Sequence, residues 1–144
     1  MATERRAEVT WQGDLMGGSG VIERVGSGVL GPLDVTWASR AEEPAGRTSP
    51  EELIAAAHAA CFAMALAHGL AQDGNPPEEL STSATVTFEP GTGITRSVLD
   101  VTGRVPGIDE ETFRTAAEQA RDGCPVSQAL KGNVELELTA RLAS

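Results

Sequence analysis

Cys61 and Cys124 are the only cysteines in this 144-residue chain, and they sit in unlike surroundings. Cys61 falls midway through residues 48–72, TSPEELIAAAHAACFAMALAHGLAQ, in a wall of Ala, Phe, Met and Leu. Cys124 comes 63 positions later in GCPVSQ. Burial alone raises a thiol pKa and makes a cysteine inert, so Cys61 on its own reads as a small hydrophobe. Cys124 changes the balance. It directly precedes Pro125, and so stands at the start of a helix, where free N–H groups stabilise a thiolate. Two such sulfurs are suited to a redox step, passing between a dithiol and a transient disulfide.

For Cys61 to react, a cation must offset its burial. Residues 53–72 contain no Asp, Glu, Lys or Arg, so the cation must come from another element. Arg40 is the first candidate and Arg47 the second. An arginine in an apolar site needs a carboxylate to hold it, and Glu51 can supply one. Glu51 and Cys61 are ten residues apart, about 15 Å along one helix axis, too far to share a site within one chain. Two such helices packed antiparallel across a two-fold axis would bring the Glu51 end of one to the Cys61 level of the other. A functional Glu51 therefore predicts a homodimer with composite sites.

Other chemistry is less well supported. His58 lies one turn before Cys61 and could pair with it as in cysteine proteases, but a histidine hydrogen-bonded within the core is the simpler reading. His68 has the same simple reading. His58, Cys61 and Cys124 do not form a zinc pattern of the CxxC or HExxH kind, and neither a metal nor a cofactor is expected.

The elements that must position these residues are legible in outline. Ser49, Pro50 and Glu52 form a helix start with a capping box, and nothing breaks the helix before Gly69. Roughly 20 helical residues span about 30 Å, the width of a small domain. A helix apolar on all sides must be covered on all sides, so this one is central. It is long enough to cross a bilayer, yet it is rich in alanine, carries two histidines and lacks flanking basic clusters, which predicts a core helix of a soluble protein. Before it, residues 6–12, 21–25 and 29–40 read as antiparallel strands, the third interrupted at Gly31-Pro32. Residues 41–47 form a connecting loop. After it come strands over 80–88 and 94–105, a helix over 110–121 capped by Asp109, a short helix over 125–131 and a final strand over 133–142. The order predicts one α+β domain spanning residues 1–144, with long helices packed on one face of a sheet.

Composition narrows the partners. Eleven basic against 21 acidic residues give a net charge of −10 with no Lys/Arg cluster, which disfavours nucleic acid and anionic membranes. The first residues, MATERRAEVTW, run from charge straight into strand alternation and predict no secretory signal. Two cysteines without a leader imply a reducing, cytoplasmic setting, where a lasting structural disulfide is unexpected.

The run TSPEELIAAAHAACFAMAL with GCPVSQAL, together with the WQGD start, the VPGID segment and the alternating C-terminal strand, closely resembles the OsmC/Ohr family of organic hydroperoxide reductases. The likeness covers nearly the whole chain. It implies an OsmC-like fold, with antiparallel sheets wrapped around a long central helix in an intertwined homodimer. It also implies a thiol peroxidase in which Cys61 attacks the peroxide and becomes a sulfenic acid. Cys124 then closes a disulfide, and a small thiol or a dithiol of lipoyl type restores both. Glu51 would orient the active-site arginine. The Ohr branch places that arginine in the first turn region, here DLMGGSG, which has none. The OsmC branch places it at the end of the strand before the loop, where Arg40 stands. An apolar pocket of Phe62, Met64, Leu66 and nearby alanines would favour organic tails over hydrogen peroxide. Two other classes compete. One is a non-catalytic OsmC-like protein binding a lipid or small molecule, and the other is a stress protein merely stabilised by a Cys61–Cys124 bond.

Overall fold

The computed structural model describes residues 1–143, and the chain divides into two compact units, residues 1–50 and residue 51 onward. In the first unit β1 (Ala7–Gln12), β2 (Ser19–Val25) and β3 (Leu33–Val35) form an antiparallel meander in that order. The expected third strand over 29–40 is shortened to β3, and a five-residue helix, α1 (Trp37–Ala41), replaces its second half. The cause is local. Thr36 Oγ1 accepts from the Ser39 N–H at 3.0 Å, while Ser39 Oγ accepts from the Thr36 N–H at 2.9 Å. This reciprocal capping box satisfies two otherwise orphaned donors and turns the chain out of the sheet. The same Ser39 hydroxyl donates to the Thr48 carbonyl at 2.9 Å, tying the end of the loop back to α1.

The second unit holds α2 (Pro50–Gln72), β4 (Glu79–Glu89), β5 (Gly93–Arg104), α3 (Glu110–Gly123), α4 (Pro125–Leu130) and β6 (Glu135–Leu142). Proline at the first position of α2 loses nothing, because that N–H has no partner in a helix. The sheet order is β4-β5-β6. The β4–β5 hairpin is antiparallel as expected, whereas β5 and β6 run parallel, Leu99 lying opposite Leu138. The α+β class holds, with that one parallel pairing.

The core of this unit lies where α2 and α3 meet the sheet. Phe62, Leu66 and Leu70 of α2 pack with Leu99, Val101 and Val105 from β5 and the strand's continuation, and with Phe113, Ala117 and Ala120 of α3. The β5 contributors alternate along the strand, and those of α3 recur at helical spacing. Asp109 caps α3 as expected, its carboxylate accepting from the Thr112 N–H at 2.8 Å. Gly103 is needed for this packing. A Cβ there would lie 2.5 Å from Cζ of Phe113.

Helix α2 is not covered all round. Its buried residues are Glu51, His58, Phe62, Leu66 and Leu70, one face. Ala57, Ala60, Met64, His68 and Ala71 are exposed on the other.

Candidate active site

Cys61 sits at the margin of the α2 core face, partly buried and packed against the hydrophobic cluster. Cys124 is fully buried within the same cluster. The route to that position is set by the helix break. The α3 helix runs through Gly123, and Cys124 takes an extended conformation, serving both as C-cap of α3 and N-cap of α4. Its N–H bonds the Ala120 carbonyl at 2.9 Å, and its sulfur accepts from the Ser127 N–H at 3.5 Å. Pro125 occupies the first turn of α4, where its fixed φ is already helical and no N–H is wasted.

The two thiols perturb each other. Cys124 favours the protonated form of Cys61, Cys61 favours the ionised form of Cys124, and the Val126 N–H at the start of α4 favours the thiolate of both. The electrostatics are unequal. Burial pushes the Cys61 thiol up, and the Cys124 side chain and its negative charge push it further, against the Val126 amide. Burial also acts to raise Cys124, but the Cys61 thiol and the Ser127 and Val126 groups outweigh it and leave Cys124 more acidic than an ordinary cysteine. Of the reduced pair, Cys61 is therefore the less acidic thiol and Cys124 the more acidic one.

His58 does not pair with Cys61. It is wholly buried, with Nδ1 2.7 Å from Ser97 Oγ of β5 and Nε2 2.8 Å from Ser127 Oγ of α4. Both ring nitrogens are occupied, so it is the core histidine of the simpler reading, and desolvation holds its pKa below the usual value. Ser97 and Ser127 escaped the sequence reading. The signal for Ser127 is its place three residues after Cys124, the N3 position of a capped helix; for Ser97 none is visible.

The remaining candidates belong to α1, the loop after it and the start of α2. Glu51 is 6 % exposed in the first turn of α2, about 15 Å along the axis from Cys61. Arg40 is half-buried in the last turn of α1 rather than at the end of a strand, and Arg47 is exposed. The expected pocket of Phe62, Met64 and Leu66 is not a single surface. Phe62 and Leu66 are sealed in the core while Met64 is 73 % exposed, because positions two apart on a helix point in different directions. Among the described residues no cluster of three His, Cys, Asp or Glu side chains could hold a metal.

The sequence model described as OsmC-like protein matches residues 43–139, a span that includes both cysteines. This chain belongs to the OsmC-like family. It is 40 % identical over 140 residues to peroxiredoxin OsmC of Escherichia coli K12, covering 95 % of this chain and 96 % of that one. It is 37 % identical over 93 residues to an organic hydroperoxide resistance protein of Xanthomonas axonopodis pv. citri, covering 64 % of this chain and 66 % of the relative. The fold agrees. The crystal structure of the organic hydroperoxide resistance protein OhrB of Bacillus subtilis superposes with a TM-score of 0.68 at 28 % identity, covering 94 % of this chain and 98 % of that one. An organic hydroperoxide resistance protein from Elizabethkingia anophelis gives 0.71 at 26 % identity, covering 99 % and 100 %.

Proposed function

We propose that this protein is a thiol peroxidase of the oxidative stress response, reducing organic hydroperoxides to alcohols through a Cys61 sulfenic acid and a Cys61–Cys124 disulfide. The observation that carries the reading is that Cys61 packs against the same buried cluster that contains Cys124, so the fold brings the chain's two sulfurs, 63 positions apart in sequence, into one region. Relatives named peroxiredoxin OsmC and organic hydroperoxide resistance protein support a peroxidase-type role.

The chemistry balances as follows. The Cys61 thiolate attacks the distal peroxide oxygen, the O–O bond breaks, and sulfur loses two electrons to the departing alkoxide. That alkoxide takes up the proton released when Cys61 ionised and leaves as the alcohol. Arg40 stabilises both the thiolate and the developing alkoxide, and Glu51 holds the arginine in place. Cys124 then attacks the Cys61 sulfur, the S–O bond breaks, and hydroxide leaves as water with one proton. Closure protects the sulfenic acid from irreversible over-oxidation. A small thiol or a dithiol of lipoyl type reduces the disulfide.

A homodimer with composite sites fits the exposed apolar surface. The α2 stripe of Ala57, Ala60, Met64 and Ala71 is bare in one chain, as are Val9, Trp11, Leu15 and Met16 of the first unit. Exposed apolar side chains in a row along a helix, as on α2, mark an interaction site. On this reading residues 1–144 act as one OsmC-like domain, in the cytoplasm, where thiols stay reduced, with no nucleic acid or membrane partner.

The test is a thiol count on reduced protein after one equivalent of cumene hydroperoxide, beside an equal dose of hydrogen peroxide. The wild type should lose both thiols faster to the organic peroxide. Cys61→Ser should be inert, and Cys124→Ser should trap a sulfenic acid. Arg40→Ala should slow the first step by about 100-fold or more, the usual effect of removing one donor to a developing oxyanion. Survival of both wild-type thiols refutes the proposal.

A further inference from the structure

The chain Ser97–His58–Ser127 joins three elements through buried polar groups. Ser97 and His58 are fully buried and Ser127 is 1 % exposed. Ser97 stands on the inward face of β5, two residues before the core residue Leu99, and His58 one turn before Phe62 on the buried face of α2. Ser127 belongs to the first turn of α4. A neutral imidazole donates through one nitrogen and accepts through the other, and each serine hydroxyl can do either. The chain is thus satisfiable in either sense, and no water is needed.

Its far end is chemically significant. Ser127 uses its hydroxyl on His58 Nε2 at 2.8 Å and its backbone N–H on the Cys124 sulfur at 3.5 Å. The residue that His58 grips is therefore the one whose N–H the Cys124 sulfur caps. Helix α4 has only six residues, too short to be stable from its own hydrogen bonds, so its first turn depends on tertiary anchors. Because His58 and Cys61 are one turn apart on α2, the anchor fixes α4 to the helix that carries the other sulfur.

We propose that His58 is a positioning residue for disulfide closure. Through Nε2 it holds Ser127, the first turn of α4 and hence the Cys124 sulfur against Cys61, while its bond to Ser97 only orients the ring. The step served is the one written above, attack of Cys124 on the Cys61 sulfur with loss of water, so the inference rests on the peroxidase reading for its purpose. The geometry separates the two ring nitrogens. A glutamine at position 58 can put its amide near the Nε2 position and retain Ser127. An asparagine reaches only the Nδ1 position and loses it.

The experiment uses the full chain, reduced, and follows sulfenic acid formation and disulfide closure separately after one equivalent of cumene hydroperoxide. The same closure is driven in parallel by diamide, which oxidises dithiols without peroxide chemistry. The variants are His58→Gln, His58→Asn, Ser127→Ala and Ser97→Ala, the serine changes leaving α2 intact. Sulfenic acid formation should keep its wild-type rate throughout. Closure should slow about tenfold in His58→Asn and Ser127→Ala, the scale of one lost hydrogen bond, and stay near wild type in His58→Gln and Ser97→Ala. The proposal is overturned if His58→Gln and His58→Asn behave alike, or if Ser97→Ala slows closure as much as Ser127→Ala. A wild type inert to hydroperoxide but closing with diamide would sink the peroxidase reading alone. The order of the variants under diamide would still decide the role of His58.

Discussion

Cys61 and Cys124 shift each other's acidity in opposite senses, and so the sulfur expected to resolve the reaction is the more acidic of the two before it starts. Their interaction lowers Cys124 and raises Cys61 together. Each sulfur should therefore respond oppositely to loss of the other. Cys61→Ala removes this influence from Cys124 and should move its titration to higher pH. Cys124→Ala removes the opposite influence from Cys61 and should move it lower, although burial, the largest cause, remains. Ultraviolet absorbance of the thiolate reads each single-cysteine protein directly. Shifts in the same direction in both variants would contradict this opposed coupling.

His58 sets a pH window for stability. Desolvation lowers its pKa below the ordinary 6.5, so the unfolded chain takes up a proton before the folded one does. Stability is then complete above about pH 6.5 and falls as the pH drops toward the folded-state value, by up to about 1.4 kcal/mol per pH unit. Asp109 is also lowered, from 3.8, but its loss comes at more acid pH and does not overlap the start of this window. Denaturant midpoints between pH 7 and 5 should decline in the wild type and stay flatter in His58→Gln, with a flat wild-type profile counting against the assignment.

The elements that carry the sulfurs were legible because each has a local cause. Pro50 with the uncharged run behind it marks α2, and Asp109, Gly123 and Pro125 mark the break that delivers Cys124. The missed helix α1 was also written locally, as Thr36 and Ser39, but the strand alternation before it masked the cap. Two features had no local signal. The parallel pairing of β5 with β6 is decided by where α3 and α4 return the chain. The bonds of His58 depend on Ser97, which lies 39 residues away. The division of Phe62 and Leu66 from Met64 was available from helical periodicity alone, and treating the helix as apolar on every side concealed it.

Gly103 should tolerate no side chain. It lies on the inward face of β5 and is buried, and an added methyl would sit 2.5 Å and 2.6 Å from the Cζ and Cε1 atoms of Phe113 and 3.2 Å from Cδ2 of Leu80. The ring is fully enclosed and cannot swing away. Gly103→Ala should cost about 1–3 kcal/mol by overpacking. Adding Phe113→Leu should recover part of that loss, although the leucine change alone is destabilising. Additive losses in the double variant would mean that the two positions do not press on each other.

Met64 offers the sharpest test of the homodimer. It is 73 % exposed in the single chain and lies one turn after Cys61 on the bare side of α2. An exposed charge there costs an isolated chain little, because surface substitutions usually change stability by less than about 0.5 kcal/mol. If a second copy covers this face, a buried unpaired carboxylate opposes association strongly. Met64→Glu should therefore shift sedimentation from a dimer to a folded monomer. Its circular dichroism should be unchanged and its peroxidase activity reduced, because a site completed by the partner's Glu51 opens when the subunits part. A Met64→Glu protein that remains dimeric and fully active would place the interface elsewhere. A monomer with full activity would show that each chain is sufficient by itself, and Glu51 would then have no catalytic role.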